Sequence, residues 1–213
     1  MLSRVESPHR ITAYLLQVLL VASLSTIPGV VVGDEAILAN GIPSEGHVML
    51  IGDKKQWDTM VVGEPISSAS GYLRAELHAE EKAIRADWNG GGEAQFFMAH
   101  ETPVDYTQHL DEQSALVVIL KVEKKPTKKV LIKMGCGYPC ASNADITKLL
   151  KALTPQQWVR LSIDLECFAA GGLDIQKVDT PLLITTRGEM SLSIADISLV
   201  SGLGPEATIS CRQ

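Results

Sequence analysis

Met134-Gly135-Cys136-Gly137-Tyr138-Pro139-Cys140 ends an apolar run with two cysteines that flank Gly, Tyr and Pro. Such a segment reads as a rigid loop at the end of a strand, stapled where the two thiols pair. Downstream, Asp145 to Leu153 carries a capping Asp and apolar residues at 146, 149, 150 and 153, and it stops before Pro155. That is one short helix in a loop. Val159, Leu161, Ile163 and Leu165 then alternate with polar neighbours, Leu182 to Thr186 forms another strand, and Leu192 to Leu199 a further one with a bulge expected near Ala195-Asp196. Upstream, Val130 to Met134 and Ala115 to Val122 flank Lys124-Lys125-Pro126-Thr127-Lys128-Lys129. The pattern predicts a central pair joined by a solvated hairpin turn.

Further towards the N-terminus the reading stays β. His47 to Ile51 and Trp57 to Val62 are short apolar runs, Tyr72 to Leu77 and Ala94 to Met98 follow glycine-containing loops, and Ile84, Ala86 and Trp88 alternate with Arg85, Asp87 and Asn89. Many strands of this length with closely spaced turns predict an all-β sandwich or jelly roll over residues 34–200, with one short helix and an irregular tail over 201–213. At 213 residues the chain can bury a substantial core. A net charge of −6 argues against a nucleic-acid partner, because a phosphate backbone needs a basic face.

Residues 1–33 read as a targeting leader. Arg4 and Arg10 precede the largely apolar Ile11 to Leu24, Pro28-Gly29 breaks a helix, and small residues before Asp34 suit a signal peptidase. The rival reading is an uncleaved membrane anchor over Ile11 to Val32, close to the ~20 residues a span needs. Either reading places the domain outside the cytoplasm, secreted or periplasmic, with no membrane contact beyond the leader. There, four cysteines are expected to pair, and they allow three connectivities. A Cys136–Cys140 bridge closes a tiny loop and serves to shape Gly137-Tyr138-Pro139. Cys167 and Cys211 are then left to each other, which the sequence does not prove.

Chemistry-bearing motifs are sparse. Gly90-Gly91-Gly92 precedes a strand and lacks the Lys-Ser/Thr of a phosphate loop. The histidines at 9, 47, 78, 100 and 109 show no ligand spacing and read as surface residues, so no metal or catalytic site is nominated. The aromatics say more, because indole and phenol rings stack on the C–H faces of sugars. Trp88 shares the phase of Ile84 and Ala86 and belongs in the core, while Trp158 is expected to cap the sandwich. Trp57 and Tyr138 lie beside turns and are the candidate ligand contacts.

Several stretches, read in order, resemble the C-terminal galactose-binding-like module of bacterial exo-β-glucanases and β-glucosidases of glycoside hydrolase family 3. They are Ser68-Ala69-Ser70-Gly71, Ile84-Arg85-Ala86-Asp87-Trp88, Pro103-Val104-Asp105, Ala115-Leu116-Val117-Val118, the segment Met134 to Cys140, Asp145-Ile146-Thr147, Leu153 with Gln157-Trp158, Cys167-Phe168-Ala169-Ala170-Gly171, and Val178-Asp179-Thr180-Pro181-Leu182. The resemblance covers roughly residues 45 to 200 and implies a carbohydrate-binding-type β-sandwich. It does not imply hydrolase activity here, since a catalytic (β/α)8 barrel alone needs about 250 residues. Folds of this type often hold a structural calcium, for which Asp53 and Asp58 are available loop carboxylates, although their spacing does not demand one. The expectation is a non-catalytic module that binds a β-glucan or related polysaccharide or oligosaccharide, alone or beside a glycoside hydrolase. The alternative is a structural or protein-interaction sandwich without sugar affinity.

Overall fold

The computed structural model describes residues 34–211, so the leader reading at 1–33 lies outside the described residues. The chain runs through β1 (Glu35–Ala39), β2 (Ile42–Pro43), β3 (His47–Asp53), β4 (Gln56–Met60) and β5 (Ile66–Ser67). It continues through β6 (Leu73–His78), β7 (Ala83–Asn89), β8 (Ala94–His100) and α1 (Thr107–Asp111). Next come β9 (Ala115–Lys124), β10 (Val130–Gly135), β11 (Ala141–Asp145), α2 (Thr147–Ala152) and β12 (Trp158–Asp164). Finally come α3 (Leu165–Ala170), β13 (Thr180–Thr186) and β14 (Glu189–Val200). The strands build two antiparallel sheets. One runs β12-β9-β14-β7-β6-β5, with β1 and β2 attached through β14, and the other runs β11-β10-β13-β8-β3-β4.

The period-2 pattern explains the core. From the first sheet, Leu116, Val118, Leu120 and Val122 of β9 pack with Leu192, Ile194, Ile197 and Leu199 of β14 and with Ile84, Ala86 and Trp88 of β7. From the second come Met49, Ile51, Phe96, Met98, Ile132, Met134, Leu182 and Ile184. Trp88 is core, as its phase requires, and its indole N–H donates to the Ala94 carbonyl at 3.1 Å. The register of β14 on β9 shifts between Ile194 and Asp196, which places the expected bulge at Ala195.

Four expectations need correction. The lysine segment is no hairpin: β9 pairs with β12 and β14, β10 pairs with β11 and β13, and the segment carries the chain from one sheet to the other. Alternation in sequence fixes which face of a strand is buried, but not which strand lies beside it. Helix is also more plentiful than the single segment expected, with α1 and α3 added to α2. In α3 the Asp164 carboxylate accepts from the Glu166 N–H at 3.1 Å, so a polar residue that ends one element caps the next. Trp158 does not cap the sandwich. It sits on the outer face of β12, directly opposite Lys121, whose ammonium lies 5.2 Å from the indole centroid. The histidines are the fourth case: three of them gather around Glu35 at one end of the sandwich.

Two bridges form, Cys136–Cys140 and Cys167–Cys211. The second anchors the segment after β14, where Ile209 also pairs in parallel with Ile163. Among the described residues no helix is long and apolar enough to cross a membrane.

Asp53, at the end of β3, is fully buried and joins the two sheets through a loop. Its carboxylate accepts from the Lys55 N–H at 2.9 Å, the Ser70 N–H at 2.6 Å and the Ser70 hydroxyl at 3.0 Å. Burial pushes this carboxyl up, but donors from Ser68, Lys55 and Ser70 outweigh burial and hold it down at about 2. The group therefore contributes stability that is present above its unfolded value of 3.8 and is lost as pH falls towards 2. Those oxygens accept N–H and O–H donors, so in this structure Asp53 serves to link the two sheets. Asp58 lies exposed on β4, and neither Asp belongs to a cluster of potential ligands among the described residues.

Chain entropy puts the loss for Cys167→Ser/Cys211→Ser at about 4 kcal/mol and that for Cys136→Ser/Cys140→Ser at about 2 kcal/mol, measurable by urea unfolding. Asp53→Ala is expected to cost about 2–3 kcal/mol at neutral pH, and Asp53→Asn to flatten the fall in stability between pH 4 and 2.

Candidate functional site

Strands β8 and β13 carry apolar side chains on both faces. Phe96, Met98, Leu182 and Ile184 point into the core, while the residues between them, Phe97 and Leu183, point outward and face each other across the ladder. Lys133 of β10 pairs with Leu183, Leu50 of β3 pairs with Phe97, and Met60 of β4 pairs with Leu50. A transverse row of side chains thus crosses the outer face of the second sheet. Phe97 and Leu50 are each only 9% exposed although they lie outside the core. They are covered from the solvent side by what stands around them.

On one side that cover is the β3–β4 hairpin. Gly52 lies so close beneath Trp57 that an added Cβ would stand 2.1 Å from the Trp57 carbonyl oxygen. Only a glycine lets β4 fold this tightly over β3. The Gln95 amide donates to the same carbonyl at 3.3 Å, and the indole is left 45% exposed. On the other side stands the stapled loop. Cys136 N–H donates to the Cys140 carbonyl at 3.0 Å and Cys140 N–H to the Gly137 carbonyl at 2.7 Å. Gly137 adopts a positive φ of 86°, and the Tyr138–Pro139 peptide is cis. The turn pushes Tyr138 wholly into solvent.

Between them lies a groove of about 640 Å³. Trp57 and Tyr138 line its walls, Phe97 and Leu183 its floor, and Glu93, Gln95, Lys133, Asp179 and Thr180 supply polar groups. Glu93 is held at one side by Arg187, whose Nη2 lies 2.6 Å from its carboxylate. The arrangement combines flat hydrophobic surfaces with amide, ammonium and carboxylate groups at the margins. It can stack a flat, partly apolar ring and hydrogen-bond hydroxyls at that ring's edge.

A second concavity, about 540 Å³, lies on the outer face of the other sheet, and its polar groups are already engaged with one another. Arg85 Nε lies 3.1 Å from Asp87, Lys121 Nζ lies 2.9 Å from Glu123, and the Ser193 hydroxyl donates to Glu123 at 2.6 Å. Its one lining ring of this kind, Trp88, is buried. A ligand there would have to displace existing ion pairs for little stacking surface, so the groove is the better candidate.

Trp57 and Tyr138, each a candidate on its own turn in the sequence, therefore line one groove. The sequence reading misses the floor and the polar margin. A signal for the floor exists: Phe96-Phe97-Met98-Ala99 and Leu182-Leu183-Ile184 are consecutive apolar residues where a strand with one solvated face would alternate.

Fold and groove together define a galactose-binding-like β-sandwich. Residues 49–199 match the Exop_C family model, described as galactose-binding domain-like, and the chain belongs to that family. A comparison with curated proteins finds no match. Among solved structures, it is similar to the exo-1,3/1,4-β-glucanase ExoP from a Pseudoalteromonas species, with a TM-score of 0.65 and 17% identity. That match covers 79% of this chain and 20% of the enzyme, so the chain spans about a fifth of the enzyme's length. The extra C-terminal domain of the same enzyme, solved separately, matches with a TM-score of 0.63 and 16% identity, covering 78% of this chain and 92% of that domain. A family 30 carbohydrate-binding module of a Clostridium thermocellum cellulosomal cellulase matches with a TM-score of 0.56 and 16% identity, covering 79% of this chain and 98% of the module.

Gly52→Ala forces β4 away from β3. It is expected to cost about 1–3 kcal/mol as an overpacking substitution and to shift the fluorescence emission of Trp57, which Trp57→Phe in the same background identifies.

Proposed function

We propose that this domain binds a polysaccharide of the β-glucan type in the groove between Trp57 and Tyr138, without cleaving it. The observation that carries the reading is the convergence of two exposed aromatics on one apolar-floored groove, on the outer face of a galactose-binding-like sandwich. Sugar rings stack on the indole and phenol, while Gln95, Lys133 and Asp179 receive the hydroxyls. The β-glucan class rests on the substrate named for the exo-1,3/1,4-β-glucanase whose C-terminal domain is similar in fold. The chain would act outside the cytoplasm, consistent with its two disulfides, and a glycoside hydrolase is the natural functional companion.

Affinity electrophoresis and calorimetry against mixed-linked β-glucan, laminarin, cellulose oligomers and xylan test this. Retardation by at least one β-glucan is expected, with Trp57→Ala and Tyr138→Ala each weakening binding about tenfold or more and leaving unfolding unchanged. No retardation across the panel overturns the reading and favours a sandwich that meets a protein partner instead. Release of reducing sugar from any of these glucans by the purified chain overturns the non-catalytic part.

A further inference from the structure

His47, at the start of β3, and His100, at the end of β8, are directly opposed in the ladder, with ring centroids 4.4 Å apart. Glu35, at the start of β1 in the other sheet, reaches the same point. One ligand atom from each of Glu35, His47 and His100 can be chosen so that all three lie within 4.8 Å of one another. We propose that these three residues hold a divalent zinc-class cation that fastens β1 of one sheet to β3 and β8 of the other.

An orphaned nitrogen points the same way. The His47 side chain is 5% exposed, and its Nδ1 lies 3.1 Å from the Glu45 carbonyl, which makes Nδ1 the protonated nitrogen. Nε2 is buried, without a hydrogen-bond partner, and 3.9 Å from Glu35 Oε1, and in the neutral ring it offers its lone pair. An unsatisfied buried nitrogen is unfavourable, and an ion in the cluster would satisfy it. Carbonyl on one nitrogen and vacant lone pair on the other is the arrangement that orients histidine ligands.

The other two ligands are held by neighbouring side chains. His109 Nε2 lies 2.9 Å from Glu35 Oε2 and fixes the carboxylate. The Tyr106 hydroxyl is 2.5 Å from His100 Nε2 and 3.5 Å from Glu35 Oε1, so its proton can turn to the carboxylate when the imidazole takes an ion. Two imidazoles and one carboxylate suit zinc, cobalt or nickel, whereas calcium selects oxygen ligands. Bonds of about 2.0–2.2 Å require the three ligand atoms to close in by side-chain rotation, and partly exposed Glu35 leaves a position for water. The site lies on different residues from the groove and does not depend on sugar binding.

The test uses the full chain freed of metal by chelation. Calorimetry with zinc sulfate is expected to give one site per chain, and zinc to raise the unfolding midpoint. Cobalt(II) is expected to develop the visible bands of a low-coordinate nitrogen–oxygen site. His47→Gln and His100→Gln abolish these signals, Tyr106→Phe and His109→Gln weaken binding about ten- to a hundredfold, and His78→Gln leaves it intact. No heat and no cobalt bands with the unmutated chain overturn the proposal, independently of how well the variants fold. So does binding that survives His47→Gln or is lost with His78→Gln.

Discussion

The double-sided burial of β8 and β13 is the constraint on which the rest of this structure depends. Consecutive residues, Phe96 and Phe97 or Leu182 and Leu183, send one side chain into the core and the next to the groove floor. A slip of one residue in either strand would exchange the two sets, so the packing that stabilises the sandwich also fixes where the floor lies. The walls depend on the same register. β4 can lie over β3 only where Gly52 falls, and the stapled loop begins where β10 ends.

The two outer faces divide their chemistry. That of the first sheet is dressed with ion pairs and hydroxyl contacts, including Lys121 held between Glu81 and Glu123. Glu123 itself is held below the usual carboxylate range: burial pushes it up, and Ser193, Lys121 and Gln156 more than offset that. Such a face satisfies itself. The outer face of the second sheet instead leaves an apolar floor, flanked by two exposed rings that stand outside the core. Unpaired aromatic surface rimmed by polar groups marks a binding site more reliably than concavity alone.

Much of the sandwich is legible in the sequence because one-sided strands alternate visibly, and Trp57 and Tyr138 are legible because turns expose what they carry. The partnering of β9 and β10 is not, since their alternation is equally satisfied by a hairpin and by a crossing between sheets. The helix α3 hides because Leu165 continues the alternation of β12 while already beginning the next element. The cluster of Glu35, His47, His100 and His109 is invisible for another reason. Its members lie on four separate elements, and only the ladder register that opposes His47 to His100 brings them together. There, burial and the neighbouring His47 hold His100 down at about 4, so it stays neutral at neutral pH.

The most direct measurement is a crystal structure of the domain soaked with mixed-linked gluco-oligosaccharides. The expected result is sugar rings lying over Phe97 and Leu183, stacked on Trp57 or Tyr138, with hydroxyls against Gln95, Lys133 or Asp179. Sugar bound instead on the ion-paired face of the first sheet, or an empty groove at saturating ligand, would contradict it.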